Sequence, residues 1–369
     1  AVVTPPTCTE QGYSTYTCTR CGEVDEVSDY VDPVGHNYVD GTCSNCGAED
    51  PDYEVVVLPT GNSELKIAGA NLKLEADLTM KVLVHKNVFL DGFFSNIRVE
   101  VTLEGMETVS YEAEDYQGMY GSYRQFVFTG ISPKKMNDNI VLAIYGTHDG
   151  VEYSMSMDYS LGKYCYNKLN AATPDAKLCK VLANLLNFGA AHQVYTNYKT
   201  DNLVNAAMTD AHKAYVTTGE LTVTNKTNVN YEVLDGATNS FLGANLVLTE
   251  KVEMQFIMTI PDLTNVTLEV TVGEDTYSLP ASQFEVFSTS PKYPDSYKVN
   301  FSQMLATDMR ADVTAKICCD GVVTSNTLLY SVESYAATKL TAANTAENLA
   351  NLLKMMMYYG DAAAAYFNK

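Results

Sequence analysis

The chain is predicted to be mainly β with helices (α+β). Two homologous β-sandwich domains, each ending in a helical hairpin, follow a small zinc-ribbon-like module. Three observations carry that expectation. Apolar and polar residues alternate through many short segments, the period of a half-buried strand. The period then changes to helical near the end of each half. The same order of segments occurs twice.

The first element is residues 1–52, which hold Cys8, Cys18, Cys21, Cys43 and Cys46, five of the nine cysteines. Through Asp50 it has nine acids, one Arg and no Lys. It is rich in turn formers ("VDPVGH", "VDGTC") and too small to bury a core unaided. Two C-x-x-C-G knuckles, Cys18/Cys21 and Cys43/Cys46, are separated by 21 residues, the spacing of a zinc ribbon. Each such turn brings two sulfurs to one point, and the following Gly permits the tight backbone. Cys18, Cys21, Cys43 and Cys46 are therefore the expected ligands of a structural zinc ion. Cys8, Cys18, Cys21 and His36 form a second candidate set. Disulfides are the rival, although five cysteines cannot all pair internally. A thioredoxin-like role has no βαβ context around either motif.

The second element is residues 53–198 and the fourth is 221–369, with a linker and short helix at 199–220. "GANLKLEADLTMKVLV" from Gly69 lines up with "GANLVLTEKVEMQFIM" from Gly243. Leu78, Met80, Val82 and Val84 fall opposite Val252, Met254, Phe256 and Met258. Further strands are expected at "NIRVEVTLEG", "YRQFVFTG", "NIVLAIYG" and "VEYSMSMDYS". Their counterparts are "VTLEVTVG", "SYKVNFS", "DVTAKICCDG" and "VVTSNTLLY". Each copy closes with helices. Leu178, Val181, Leu182, Leu185 and Leu186 make one stripe, and Leu349, Leu352, Leu353, Met356 and Met357 make the other. Thr173 is the expected N-cap of the first long helix, with Pro174 at its first position, and Thr345 that of the second. The Met-rich run "LLKMMMYYG" reads as core at this spacing.

Composition excludes several classes. Forty-five acids against 24 Lys and Arg give a net charge of −21, which opposes nucleic acid and anionic membranes. No apolar run reaches the length of a membrane span. No P-loop, dinucleotide-binding, metalloprotease or EF-hand motif occurs. The copies agree in Gly, Asn, Leu and Tyr rather than in acids, a pattern of packing. His85, His148, His192 and His212 are expected to be surface or capping residues, Cys165 and Cys179 to be buried thiols, and Cys318 and Cys319 to face opposite sides of a strand. Tyr116, Tyr120 and Tyr293, in "EDYQGMYGSYRQF" and "SPKYPDSYKVNF", are the candidate ligand-binding residues, because exposed tyrosines can stack on sugar rings. Tyr123 and Tyr297 are expected to open the following strand in both copies.

The pattern S-V-x-x-Y…L-x-x-x-L-L-x-x-G-A-A-x-x-x-Y, with "YKTDNL" after it, resembles a β-then-helix module of large secreted and cell-surface proteins of anaerobic Gram-positive gut bacteria. "CTEQGYSTYTCTRCG" and "GHNYVDGTCSNCGAEDP" resemble a short Cys-rich repeat found in the same proteins. The resemblance implies an extracellular fragment of a larger multidomain chain, non-catalytic, serving in adhesion, binding or spacing. A glycan or a cell-surface protein is the expected partner. The alternative is a carbohydrate-binding module for starch or another dietary or host glycan, and a third reading is a divergent carbohydrate-active enzyme. No nucleic-acid partner and no membrane insertion are expected.

Overall fold

In a computed structural model the described residues are 2–17, 20, 24–36, 38–39, 42–43, 45–48, 65–74, 78–90 and 92–368. The chain divides into two compact units, Ala1–Thr60 and Gly61–Lys369. In the first, β1 (Val2–Thr4), β2 (Gly12–Thr17) and β3 (Val24–Val31) make an antiparallel sheet, and β4 (Tyr38–Val39) pairs with β5 (Thr42–Cys43).

The second unit begins with β6 (Ile67–Lys73), β7 (Thr79–His85), the one-turn helix α1 (Asn87–Leu90), β8 (Ser95–Leu103) and β9 (Val109–Glu112). It continues through β10 (Met119–Tyr120), β11 (Tyr123–Phe128), β12 (Ile140–His148) and β13 (Val151–Tyr159) to α2 (Leu161–Leu169) and α3 (Ala176–Thr196). After the short α4 (Asp210–Lys213) and β14 (Asn228–Glu232) the order repeats as β15 (Ser240–Val247), β16 (Glu253–Thr259), β17 (Val266–Val272) and β18 (Asp275–Pro280). Then come β19 (Glu285–Val286), β20 (Ser296–Phe301), β21 (Val313–Cys319), β22 (Val322–Val323) and β23 (Thr327–Tyr330), followed by α5 (Val332–Thr341) and α6 (Glu347–Phe367).

Sheet order shows the duplication. β10-β11-β7-β6 in the first copy matches β19-β20-β16-β15 in the second, and β13-β12-β8-β9 matches β23-β21-β17-β18, where β14 adds an edge. The register shifts at the same place in both copies, between Ile67 and Gly69 and between Phe241 and Gly243. Alternation sends Met80, Val82 and Val84, and likewise Met254, Phe256 and Met258, into the core, where none of the six side chains meets solvent. Burial of each such side chain contributes about 1.5–3 kcal/mol.

The structure adjusts some of the sequence-based expectations. "VVTSNTLLY" is two strands, because the Ser325 hydroxyl accepts the Ile317 N–H (2.9 Å) where a ladder partner would otherwise stand. Asp175, not Thr173, caps α3, its carboxylate accepting the N–H groups of Lys177 and Leu178 (2.9 and 3.2 Å). Ala346 occupies the cap position of α6, while the Thr345 hydroxyl donates to the Lys339 carbonyl (2.5 Å) and closes the preceding turn. Tyr123 does begin β11, but Ser296 begins β20. The ladder position of Tyr297, opposite Met258, is filled in the first copy by Arg124, opposite Val84. Cys318 is buried and Cys319 half-exposed, as alternation requires, and Cys165 and Cys179 are buried free thiols.

The two copies share a core. α3 packs on α6, and the expected stripes are buried except for their first residues, Leu178 and Leu349. Phe188 of α3 stacks on Tyr359 of α6, with centroids 5.8 Å apart. The side contacts are reciprocal. The Tyr359 hydroxyl donates to the Leu74 carbonyl of the first copy (3.0 Å), and His192 Nε2 pairs with the Leu248 carbonyl of the second (2.9 Å). Leu74 and Leu248 are equivalent positions. His192 is therefore not a surface residue: it is buried, stacked parallel to Phe188, and its Nδ1 has no hydrogen-bond partner. Burial holds its pKa below the usual histidine value.

Candidate metal centre

In the first unit three local structures bring four donors together. Cys8 lies in a turn where the Thr7 hydroxyl accepts the N–H groups of Thr9 and Glu10 (3.3 and 2.9 Å) and the Thr7 N–H donates to the Glu10 carbonyl (3.0 Å). The Val34 N–H donates to the Thr7 carbonyl (3.0 Å), which ties the loop carrying His36 to the loop carrying Cys8. Cys43 ends β5 and opens the knuckle, where the Gly47 N–H donates back to the Cys43 carbonyl (2.8 Å). Gly47 has φ 74°, a left-handed conformation that a side chain would strain, and this is why glycine follows the second cysteine.

The result is a closed group. Cys8 Sγ and Cys43 Sγ are 3.7 Å apart, and Cys46 Sγ and His36 Nδ1 are 3.4 Å apart. All four donor atoms lie within 4.8 Å of one another. A tetrahedral metal with bonds of about 2.3 Å to sulfur requires sulfur–sulfur edges of roughly 3.8 Å, so the spacing fits such an ion. The chemistry fits as well. The Cys8 thiol is pushed up to about 12, by burial first and then by the neighbouring Cys46 and Cys43 thiols. Three adjacent sulfurs resist ionising together, and a bound cation is what reverses that preference. Cys8 and Cys43 are buried and Cys46 is exposed.

The group takes Cys43 and Cys46 from one expected set and Cys8 and His36 from the other. Cys18 and Cys21, common to both sets, lie outside the described residues. Spacing alone revealed the Cys43 knuckle. Cys8 and His36 are joined to each other through the Thr7–Val34 contact, which leaves no periodic trace in the sequence.

The candidate tyrosines occupy three different settings. Tyr116 is half-buried with the Arg124 guanidinium 4.5 Å from its ring centre, and Phe89 holds the same guanidinium at 4.4 Å. Tyr293 lies edge-on to Phe287 at 6.0 Å and lines a hollow of about 360 Å³ with Pro291, Pro294 and Tyr297. Tyr120 is 62% exposed. The other histidines are engaged: His85 Nδ1 accepts the Asn87 N–H (3.2 Å), His148 stacks on Phe93 at 3.9 Å, and His212 forms a capping box with Thr209 and pairs with Asn170 (2.9 Å). No helix among the described residues is long and apolar enough to cross a membrane.

No family model matches the chain, and no curated protein matches it.

Proposed function

We propose that the chain is a non-catalytic extracellular or cell-surface module, in which a zinc-stapled head precedes a rigid two-copy body that binds or spaces other components. The observation that carries this reading is the closed donor set. Among the described residues three sulfurs and one imidazole lie within 4.8 Å of one another, the number and type of ligands that a structural rather than a catalytic zinc site takes. Thiolate-rich tetrahedral sites favour zinc over harder cations. Among the described residues of the first unit the buried apolar side chains are those of Cys8 and Cys43, and a metal can supply on the order of 10 kcal/mol to such a segment. The extracellular placement is supported by the resemblance of the Cys-rich opening and the paired helix signatures to secreted surface proteins.

The test is metal analysis of anaerobically purified full-length chain, followed by cobalt substitution. One zinc per chain is expected, with a tetrahedral cobalt spectrum that changes in Cys8→Ser and His36→Ala and stays intact in Cys18→Ser and Cys21→Ser. Chelation is expected to abolish the amide dispersion of the first unit and to leave the second unit's unfolding transition in place. A metal content well below one per chain overturns the reading, as does metal-dependent hydrolysis of any polymer.

A further inference from the structure

A groove of about 310 Å³ runs over the outer face of the first copy's sheet. Alternation on β6 buries Leu72 and Leu74 and turns Asn71 and Lys73 outward. Lys81 of β7 stands directly opposite Asn71, and Gln125 of β11, opposite Leu83, lines the groove diagonally from it. Tyr120 of β10 forms one rim. The other wall is aromatic: Tyr164 from α2 and Tyr366 from the C-terminal end of α6, which the second copy supplies. Among the described residues, no protein group hydrogen-bonds or ion-pairs with the side chains of Asn71, Lys73, Lys81, Gln125 or Tyr120. In a chain of net charge −21, the groove brings together two lysines that form no ion pair among the described residues.

The second copy supplies an internal control. The two wall tyrosines recur in its sequence, Tyr335 at the position of Tyr164 and Tyr195 at that of Tyr366. Its floor differs. Val247 stands at the position of Lys73 and Gln255 at that of Lys81. Gln255 Nε2 donates to Asn300 Oδ1 (3.0 Å), and Asn300 Nδ2 donates to Glu253 (3.3 Å). Lys298, at the position of Gln125, pairs with Glu285 (3.2 Å). In that face Gln255 and Lys298 are engaged by neighbouring side chains, whereas among the described residues their counterparts Lys81 and Gln125 have no such partner.

We propose that this groove binds an acidic oligosaccharide. A pyranose ring stacks on Tyr120 or Tyr164, hydroxyls pair with the amides of Asn71 and Gln125, and a ring carboxylate meets Lys73 and Lys81. A ligand with one charge per sugar suits two lysines, whereas the surrounding negative charge opposes denser polyphosphates. This inference goes beyond the structural-zinc reading and stands apart from it, since the metal lies in the other unit.

The test is affinity electrophoresis and calorimetry of the full chain with polygalacturonate, and with its fully methyl-esterified form as the neutral counterpart. The acid form is expected to bind, and the ester to bind at least tenfold more weakly. Lys73→Ala/Lys81→Ala is expected to weaken acid binding at least tenfold, and Tyr120→Ala to weaken it similarly, with circular dichroism unchanged because these positions lie at the surface. Gln255→Ala in the second copy is expected to have no effect. Equal binding of acid and ester, unchanged affinity in the lysine double variant, or no binding to polygalacturonate, alginate or hyaluronate each overturns the proposal.

Discussion

Each long helix passes close to a 3₁₀ turn, Pro133–Lys135 in the first copy and Ala306–Asp308 in the second, and each crosses it at a glycine, Gly189 or Gly360. A Cβ at either site would lie 3.1 Å from a turn carbonyl, of Pro133 or of Ala306. Around this shared contact the copies diverge. In the first, apolar Val204 from the segment after α3 packs against Gly162 and Gly189, and Asn137 donates to Asn202 (2.8 Å). In the second, Arg310 stands where Asn137 does. It grips Asp361 of α6 with two hydrogen bonds (2.6 and 2.9 Å), Glu333 of α5 (2.7 Å) and the Thr222 carbonyl (3.0 Å). These contacts hold its pKa above the usual arginine value. Duplication therefore preserves the close helix approach, where any added atom collides. It leaves free the chemistry that fills the corner beside it.

The contrast can be broken by substitution, and the largest effect is expected at Arg310. Arg310→Ala leaves Glu333, whose side chain is 10% exposed, without its cation. Losing one partner of a buried pair costs about 3–5 kcal/mol, reduced here to roughly 2 because Arg310 itself is 37% exposed. Asn137→Ala is expected to cost about 1 kcal/mol or less, the worth of one neutral hydrogen bond. Urea unfolding of both variants checks the ordering, and equal losses would dissolve the contrast.

Glycine replacement gives the next effect. At Gly360 a new Cβ meets Met309 Cγ and Cβ at 2.5 and 2.8 Å, whereas at Gly189 its nearest neighbour is the mobile Met136 sulfur at 2.8 Å. Gly360→Ala is expected to cost about 1–2 kcal/mol and Gly189→Ala less, after the gain in helix propensity is set against each. Thermal melts of the pair provide the comparison.

The smallest effect concerns the reciprocal contacts. Burial holds the His192 pKa below the usual histidine value, and its Nδ1 lacks an acceptor if protonated. Lys134 nearby opposes the charge and Glu250 favours it, with burial the dominant influence. The folded state holds the proton more weakly than the unfolded chain does. The stabilising contribution is therefore complete above about pH 6.5 and shrinks as the pH falls below it. His192→Gln, which keeps a donor for Leu248, is expected to flatten this limb of the stability curve. An identical slope in the variant would remove His192 from the account.

The duplicated strands and paired helices were legible because a two-residue period gives way to a helical one, and because the apolar positions coincide between copies. Local punctuation was less legible. Thr173 and Asp175 are both competent caps, and only the observed hydrogen bonds choose between them. The break between β22 and β23 rests on one serine hydroxyl. His192 was misjudged because its burial comes from the other copy, a relation that no local pattern encodes. The metal centre was half legible: the Cys43 knuckle is a spacing, whereas Cys8 and His36 converge through a single backbone hydrogen bond between distant loops. The groove floor leaves no mark in the sequence, because Lys73 and Lys81 occupy outward positions of strands like many other polar residues.

The exchange of Tyr359 and His192 across the helix pair bears on how such proteins can grow. Each copy's long helix is covered in large part by its twin, so the smallest self-sufficient brick is a couple. A lone copy severed in the connecting segment would carry a bare greasy flank into water, and a third added singly would arrive unwed. Longer relatives built on this plan should lengthen by twos.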